Sequence, residues 1–158
     1  MGAFGGNGFL VHFDGDGMTR RDLDTSPWIE DIDGCAPDEV WAVGEDAVAR
    51  WDGRHWTVTR SRWAYDLETV LCEAPDQVYV AGRRTDRRDR RPVIRRWTGR
   101  GWKDWVRPTD TEGRVTDLWR PHADGPLVAI VRDTLRHAYR VESGRWELLD
   151  WPGEPRSV

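Results

Sequence analysis

The chain repeats itself, and that constrains its fold more than any other feature. Residues 36–44 read A-P-D-E-V-W-A-V-G, and residues 74–82 read A-P-D-Q-V-Y-V-A-G. A second match follows each copy: W-D-G-R-H-W at 51–56 and W-T-G-R-G-W at 97–102. A period near forty residues is the signature of modules that bury their apolar faces only by stacking on one another.

Each module reads as four short strands. In the copy from Trp28 to Arg60, I-E-D-I-D-G alternates and stops at Gly34, and Pro37-Asp38 turns the chain. Val40–Gly44 is β-rich, Ala47–Trp51 follows, Asp52-Gly53 is a hairpin signal, and W-T-V-T-R closes the unit. The copy from Leu67 to Pro108 repeats these runs, with about eight extra residues between its second and third strands. The copy from Val115 to Trp151 reads V-T-D-L-W, L-V-A-I-V, L-R-H-A-Y-R-V and W-E-L-L-D-W. Pairing Tyr139 with Trp146 makes its last hairpin two residues longer than the others. Residues 4–23 match only the second, third and fourth strands of a unit. Third-strand residues carry apolar groups on both faces, as a sheet between two neighbours requires; Arg95 and His137 depart from that rule.

Composition decides between order and disorder. Leu, Ile, Val and Phe supply only 31 of 158 residues, close to the fraction of about 20% below which chains tend to be disordered. The net charge is only −4 and there are 11 Trp. A few large aromatics per module replace many aliphatics, so the expectation is an ordered, aromatic-weighted core. Trp51, Trp56, Trp97, Trp102 and Trp146 recur at repeat positions and read as core. Trp28, Trp63, Trp105 and Trp151 fall outside the pattern and read as surface candidates.

Four-stranded units at this period point to an all-β fold of the β-propeller type. The pattern D-E-V-W-A-V-G…A-R-W-D-G-R-H-W resembles bacterial propeller repeats built on V-W-A-V-G and W-D-G-x-x-W. It is similar also to the Asp-box hairpin of sialidase-like blades, with Asp52, Gly53 and Trp56 in matching places and the box's leading Ser absent. The resemblance implies a single domain over residues 1–158. It comprises a partial blade at 3–25, full blades at 26–61, 62–109 and 110–151, and a tail at 152–158. Such a ring must close or be completed, and assembly with a second chain is the favoured outcome.

For function, the run R-R-T-D-R-R-D-R-R-P-V-I-R-R at 83–96 stands out, with net charge +6 against −9 for residues 14–52. Propeller geometry, as the resemblance implies, places this loop on the face of the inter-blade connections. The candidate binding residues are therefore Arg84, Arg87, Arg88, Arg90 and Arg91, with Trp28, Trp63 and Tyr65 beside them. Arginine next to aromatics grips carboxylates, phosphates and rings. Asp86 and Asp89 interrupt the run, so a self-paired loop is the bland reading of the same residues. The acidic balance argues against nucleic acid. The partner expected is another protein chain, the same or different. A carbohydrate-binding lectin is the alternative, and a sialidase-like hydrolase a weaker one.

No enzyme activity is expected, because the carboxylates form no acid/base pair by position and Tyr65, Tyr79 and Tyr139 carry no matching catalytic motif. His12, His55, His122 and His137 are scattered, so neither metal nor cofactor is expected. Cys35 and Cys72 sit one residue out of register between repeats. They read as pointing to opposite faces and hence as buried free thiols, with a bridge as the alternative. No apolar run reaches membrane-spanning length, residues 1–20 lack a signal-peptide pattern, and the Met1-Gly2 start lacks the Ser or Thr of an acylation motif. A cytoplasmic protein follows as the expectation.

Overall fold

The structure, a computed structural model, describes residues 2–6, 8–13, 16–22, 28–45, 47–60, 65–86, 89–106 and 111–149. Among them the chain forms strands and no helix, so no helix is long and apolar enough to cross a membrane.

The strands fall into four antiparallel sheets in chain order. The first holds β1 (Gly2–Gly6), β2 (Phe9–Phe13) and β3 (Met18–Asp22). The second holds β4 (Ile29–Ala36), β5 (Glu39–Gly44), β6 (Ala47–Trp51) and β7 (Trp56–Arg60). The third holds β8 (Tyr65–Ala74), β9 (Gln77–Arg84), β10 (Pro92–Trp97) and β11 (Trp102–Val106). The fourth holds β12 (Arg114–Trp119), β13 (Leu127–Arg132), β14 (Arg136–Glu142) and β15 (Arg145–Leu148). Each four-stranded sheet is a meander of hairpins, as the turn signals require.

The sheets pack in the same order. β1 lies against β4, β4 and β5 against β8, and β8 and β9 against β12. The period-two alternation of each strand therefore feeds two different cores. On β9, Val78 and Val80 join Trp41, Val43 and Val48 of the second sheet. Tyr79 and Ala81, one step out of phase, join Val115, Leu118 and Leu127 of the fourth. On β5, Ala42 turns the other way and packs with Leu10, Ile29 and Ala49. Indoles fill the widest gap: Trp41, Trp97 and Trp102 meet pairwise at 5.5 Å between ring centres.

The first strand of each full sheet carries a bulge near its start, at Glu30, Glu68 and Thr116. A bulge bends the strand and re-aims the residues around it. It also explains the glycine that ends V-W-A-V-G and V-Y-V-A-G. A Cβ on Gly44 would meet the Trp28 carbonyl oxygen at 1.6 Å, and one on Gly82 the Asp66 carbonyl oxygen at 1.9 Å.

The register corrects the expected length of the last hairpin. Val141, not Tyr139, stands opposite Trp146, so the spacing equals that of Trp51–Trp56 and Trp97–Trp102. Ser143 and Gly144, both at positive φ, make a tight two-residue turn there. Tyr139 shares a strand face with Val141, two residues away, and reaches Trp146 at 5.5 Å.

The expectation of free thiols is also corrected: Cys35 and Cys72 form a disulfide, with Cα atoms 5.2 Å apart. The parity argument failed because the two residues lie on neighbouring sheets. Residues that face forward from β4 and backward from β8 face each other. The second register shifts of these strands, at Gly34/Ala36 and Cys72/Ala74, further break simple alternation.

Candidate functional site

The arginine-rich segment extends the β9–β10 hairpin. Arg84 N–H donates to the Arg91 carbonyl at 3.1 Å, and Asp89 N–H to the Asp86 carbonyl at 3.0 Å. Asp89 braces the structure from inside. Its carboxylate takes Arg84 Nη1 at 2.9 Å and Arg91 Nε at 2.8 Å, and Arg91 Nη2 at 3.0 Å. These partners, Arg91 foremost, hold the Asp89 carboxyl well below the usual carboxylate range. One of the two acids that interrupt the basic run thus orders it, which is the self-paired arrangement.

Beneath the hairpin lies Tyr65, at 8% exposure. Arg84 and Arg95 place their guanidinium carbons 5.7 and 5.6 Å from its ring centre. Arg95 is buried, pairs with Asp104 at 2.8 Å and donates to the Trp102 carbonyl at 3.2 Å. The polar departure in the third-strand pattern is therefore a buried ion pair roofed by an aromatic ring. Tyr65 supports the loop rather than presenting itself to a partner.

The neighbouring surface is charged in the opposite sense. Arg83 donates to Asp66 Oδ2 through Nε and Nη2, at 3.1 and 2.8 Å. Arg114 of β12 pairs with Glu68 of β8. Glu30 has its carboxyl raised above the ordinary value by burial first, then by Glu68, Asp66 and Glu45, with Arg114 opposing. The bulges of the first strands thus collect acids beside an arginine hairpin. The recurring pairs Glu30-Asp31, Glu68-Thr69 and Thr116-Asp117 carried that signal in the sequence, but it reads as ordinary strand polarity until the bulges are known.

Of the expected site residues, the structure brings together Arg84, Arg91 and Tyr65. Arg90 is exposed on the same hairpin. Trp28 is 48% exposed just before β4, at the repeat position equivalent to Asp66. Arg87, Arg88 and Trp63 lie outside the described residues, as does Trp151. Trp105 is not a surface residue: it packs edge-on against Tyr79 at 5.0 Å within the core between the third and fourth sheets. Trp119, exposed on β12, went unnoticed in the sequence because its position resembles a core one. Among the described residues no group of three His, Cys, Asp or Glu side chains could hold a metal ion.

Comparison with protein-family models finds no match to this chain, and comparison with curated proteins finds none either.

Proposed function

We propose that this chain is a propeller-type recognition module that binds another protein chain and catalyses no reaction. Four sheets stacked in chain order, with repeated register and repeated bulges, support the propeller reading. The arginine hairpin is the contact element.

One observation carries this reading. The hairpin is an insertion that the second sheet lacks and the core does not need, yet it is internally braced by Asp89 and seated on Tyr65. Arginines ordered before contact lose less freedom on binding. They can meet carboxylates bidentately. The acidic stretch at 14–52 offers a complementary surface on a second copy of the same chain, and such complementarity steers association.

Sedimentation at low and high salt tests this. The native chain is expected to run well above 18.3 kDa at low salt. Replacing Arg87, Arg88, Arg90 and Arg91 together by Ser is expected to return it to the single-chain mass with its unfolding temperature nearly unchanged. A single-chain mass for the native protein at all concentrations, or unaltered assembly of the variant, would reject the hairpin as the self-contact. The lectin reading keeps some support from the exposed indoles of Trp28 and Trp119; a glycan array separates it.

A further inference from the structure

A cleft of about 520 Å³ opens between the first and second sheets, within the size range of ligand pockets. Its walls are those of a seat that is filled elsewhere in this chain. Between the second and third sheets, the Trp41 indole packs in a core formed with Val48, Val70, Cys72 and Val78, against Trp97 and Trp102. One repeat earlier, the matching residues are Leu10, Ile32, Gly34, Val40, Trp51 and Trp56, and all six line the cleft. The strand registers fix the match. Trp41 pairs with Arg50, and the residue at the same register of β1, paired with His12, is Ala3. The next interface also fills this position with an aromatic, Tyr79. Where two interfaces carry a ring, the first has an alanine and a cleft.

Both filled seats give the ring a polar tip a partner. Trp41 Nε1–H donates to Glu39 Oε1 at 2.6 Å, and the Tyr79 hydroxyl accepts from Arg120 Nη2 at 3.3 Å. The cleft has polar groups of its own, Thr19 and the exposed Arg21, on its first-sheet side. The Asp33 carboxylate on its other side is already engaged by the Gly34 and Cys72 amides at 2.8 Å each. The cation left at the cleft favours an anionic neighbour for whatever enters.

We infer that this cleft is a docking site for an extended peptide segment of a different protein, which inserts one aromatic side chain between Leu10 and the Trp51–Trp56 pair and sets an adjacent carboxylate against Arg21. A single buried aromatic anchor in a preformed pocket is how small interfaces gain most of their affinity. The site lies away from the arginine hairpin, so its fate does not depend on that of the self-contact.

The probe is the peptide acetyl-Glu-Trp-Glu-amide, with acetyl-Glu-Ala-Glu-amide as control, titrated by calorimetry and by shifts in the chain's amide resonances. The tryptophan peptide is expected to bind and to move resonances of Leu10, Ile32 and Gly34, and the alanine peptide to bind at least tenfold more weakly. Ala3→Trp is expected to fill the cleft from within, abolish peptide binding and raise the unfolding temperature. Arg21→Glu is expected to weaken binding at least fivefold while leaving the fold intact. No difference between the two peptides, or full binding to a folded Ala3→Trp variant, overturns the proposal. Binding that emerges only after Trp151→Ala assigns the cleft to the chain's own tail. A drop in sedimentation mass for Ala3→Trp assigns it to a second copy. Either result overturns the foreign peptide.

Discussion

Asp31 ties two sheets together through one carboxylate. Its Oδ1 accepts from the Ile32 amide at 2.8 Å on its own strand, while Oδ2 accepts from the Val70 amide and the Thr69 hydroxyl, each at 2.9 Å, on the next sheet. Apolar packing between sheets has no direction, so it cannot by itself fix how far one slides along the other; this hydrogen-bonded link can. Asp31→Ala leaves the buried Thr69 hydroxyl and the Val70 amide without that partner. It is expected to cost about 2 kcal/mol of unfolding free energy, within the usual penalty for orphaned buried polar groups. Asp31→Asn keeps an acceptor and is expected to cost less. Urea denaturation of both variants checks the order, and equal stability of Asp31→Ala and the native chain would contradict it.

The Cys35–Cys72 disulfide joins the same two strands, β4 and β8, across 37 residues of sequence separation. Closing a loop of that length contributes about 4 kcal/mol in the chain-entropy model. Reduction, or the double change to Ser, is therefore expected to lower the unfolding temperature substantially without altering the strand content seen by circular dichroism. Mass spectrometry of the unreduced protein after alkylation should find neither cysteine modified.

Glu39 is a buried carboxylate held on two sides. Arg50 meets it bidentately at 2.9 and 2.7 Å, and Trp41 donates its indole N–H. Removing the cation alone leaves a buried charge without its ion pair, which is costly. Arg50→Ala is expected to destabilise by about 2–3 kcal/mol, tempered because Arg50 is itself partly exposed. Glu39→Gln combined with Arg50→Ala is expected to recover part of that loss. A double variant less stable than Arg50→Ala would refute the account.

Much of this architecture was readable because each apolar strand has a simple period and the tryptophans recur with it. Trp41, Trp97 and Trp102 lie where the repeats place them. The errors share a cause, which is that parity along a straight strand was trusted where the strand is not straight or not alone. Cys35 and Cys72 were read within a single sheet, although their partners belong to adjacent ones. Tyr139 was matched to Trp97 because both are aromatic on the same face, although Val141 holds the equivalent register. The bracing role of Asp89 was visible as an interruption of the basic run, but the roof that Tyr65 shares with Arg84 and Arg95 depends on pairing between β8, β9 and β10. No linear pattern records that.

Glu30 makes stability depend on pH in a definite direction. Its carboxyl titrates above the ordinary value, chiefly through burial and the nearby Glu68 and Asp66. The folded chain therefore holds this proton more tightly than the unfolded one. Its contribution is most favourable below the unfolded carboxylate range and is lost as pH rises through that range to the raised folded value. Glu30→Gln is expected to be more stable than the native chain at pH 7, with the advantage vanishing below about pH 4. Urea midpoints at the two pH values test this, and an unchanged difference between them would exclude Glu30 as its source.

Asp89 has the opposite sign and decides whether the arginine hairpin is ordered. Its carboxyl titrates below the ordinary value because Arg91, and then Arg84, favour the charged form. The stabilisation it gives is present above the unfolded carboxylate range and is lost only as pH falls through the lowered folded value. The hairpin is therefore expected to stay braced at pH 4, where an unpaired aspartate would be half protonated. Asp89→Asn removes the charge but keeps the shape. It is expected to release Arg84 and Arg91, speed amide exchange at Arg84 and Asp89's neighbour Arg91, and leave the core amides of Val78 and Val80 protected. Since the ordered arginines are what the self-contact uses, the same variant should weaken association severalfold at low salt while unfolding at nearly the native temperature. Faster exchange without any loss of association would mean that the contact does not need the brace.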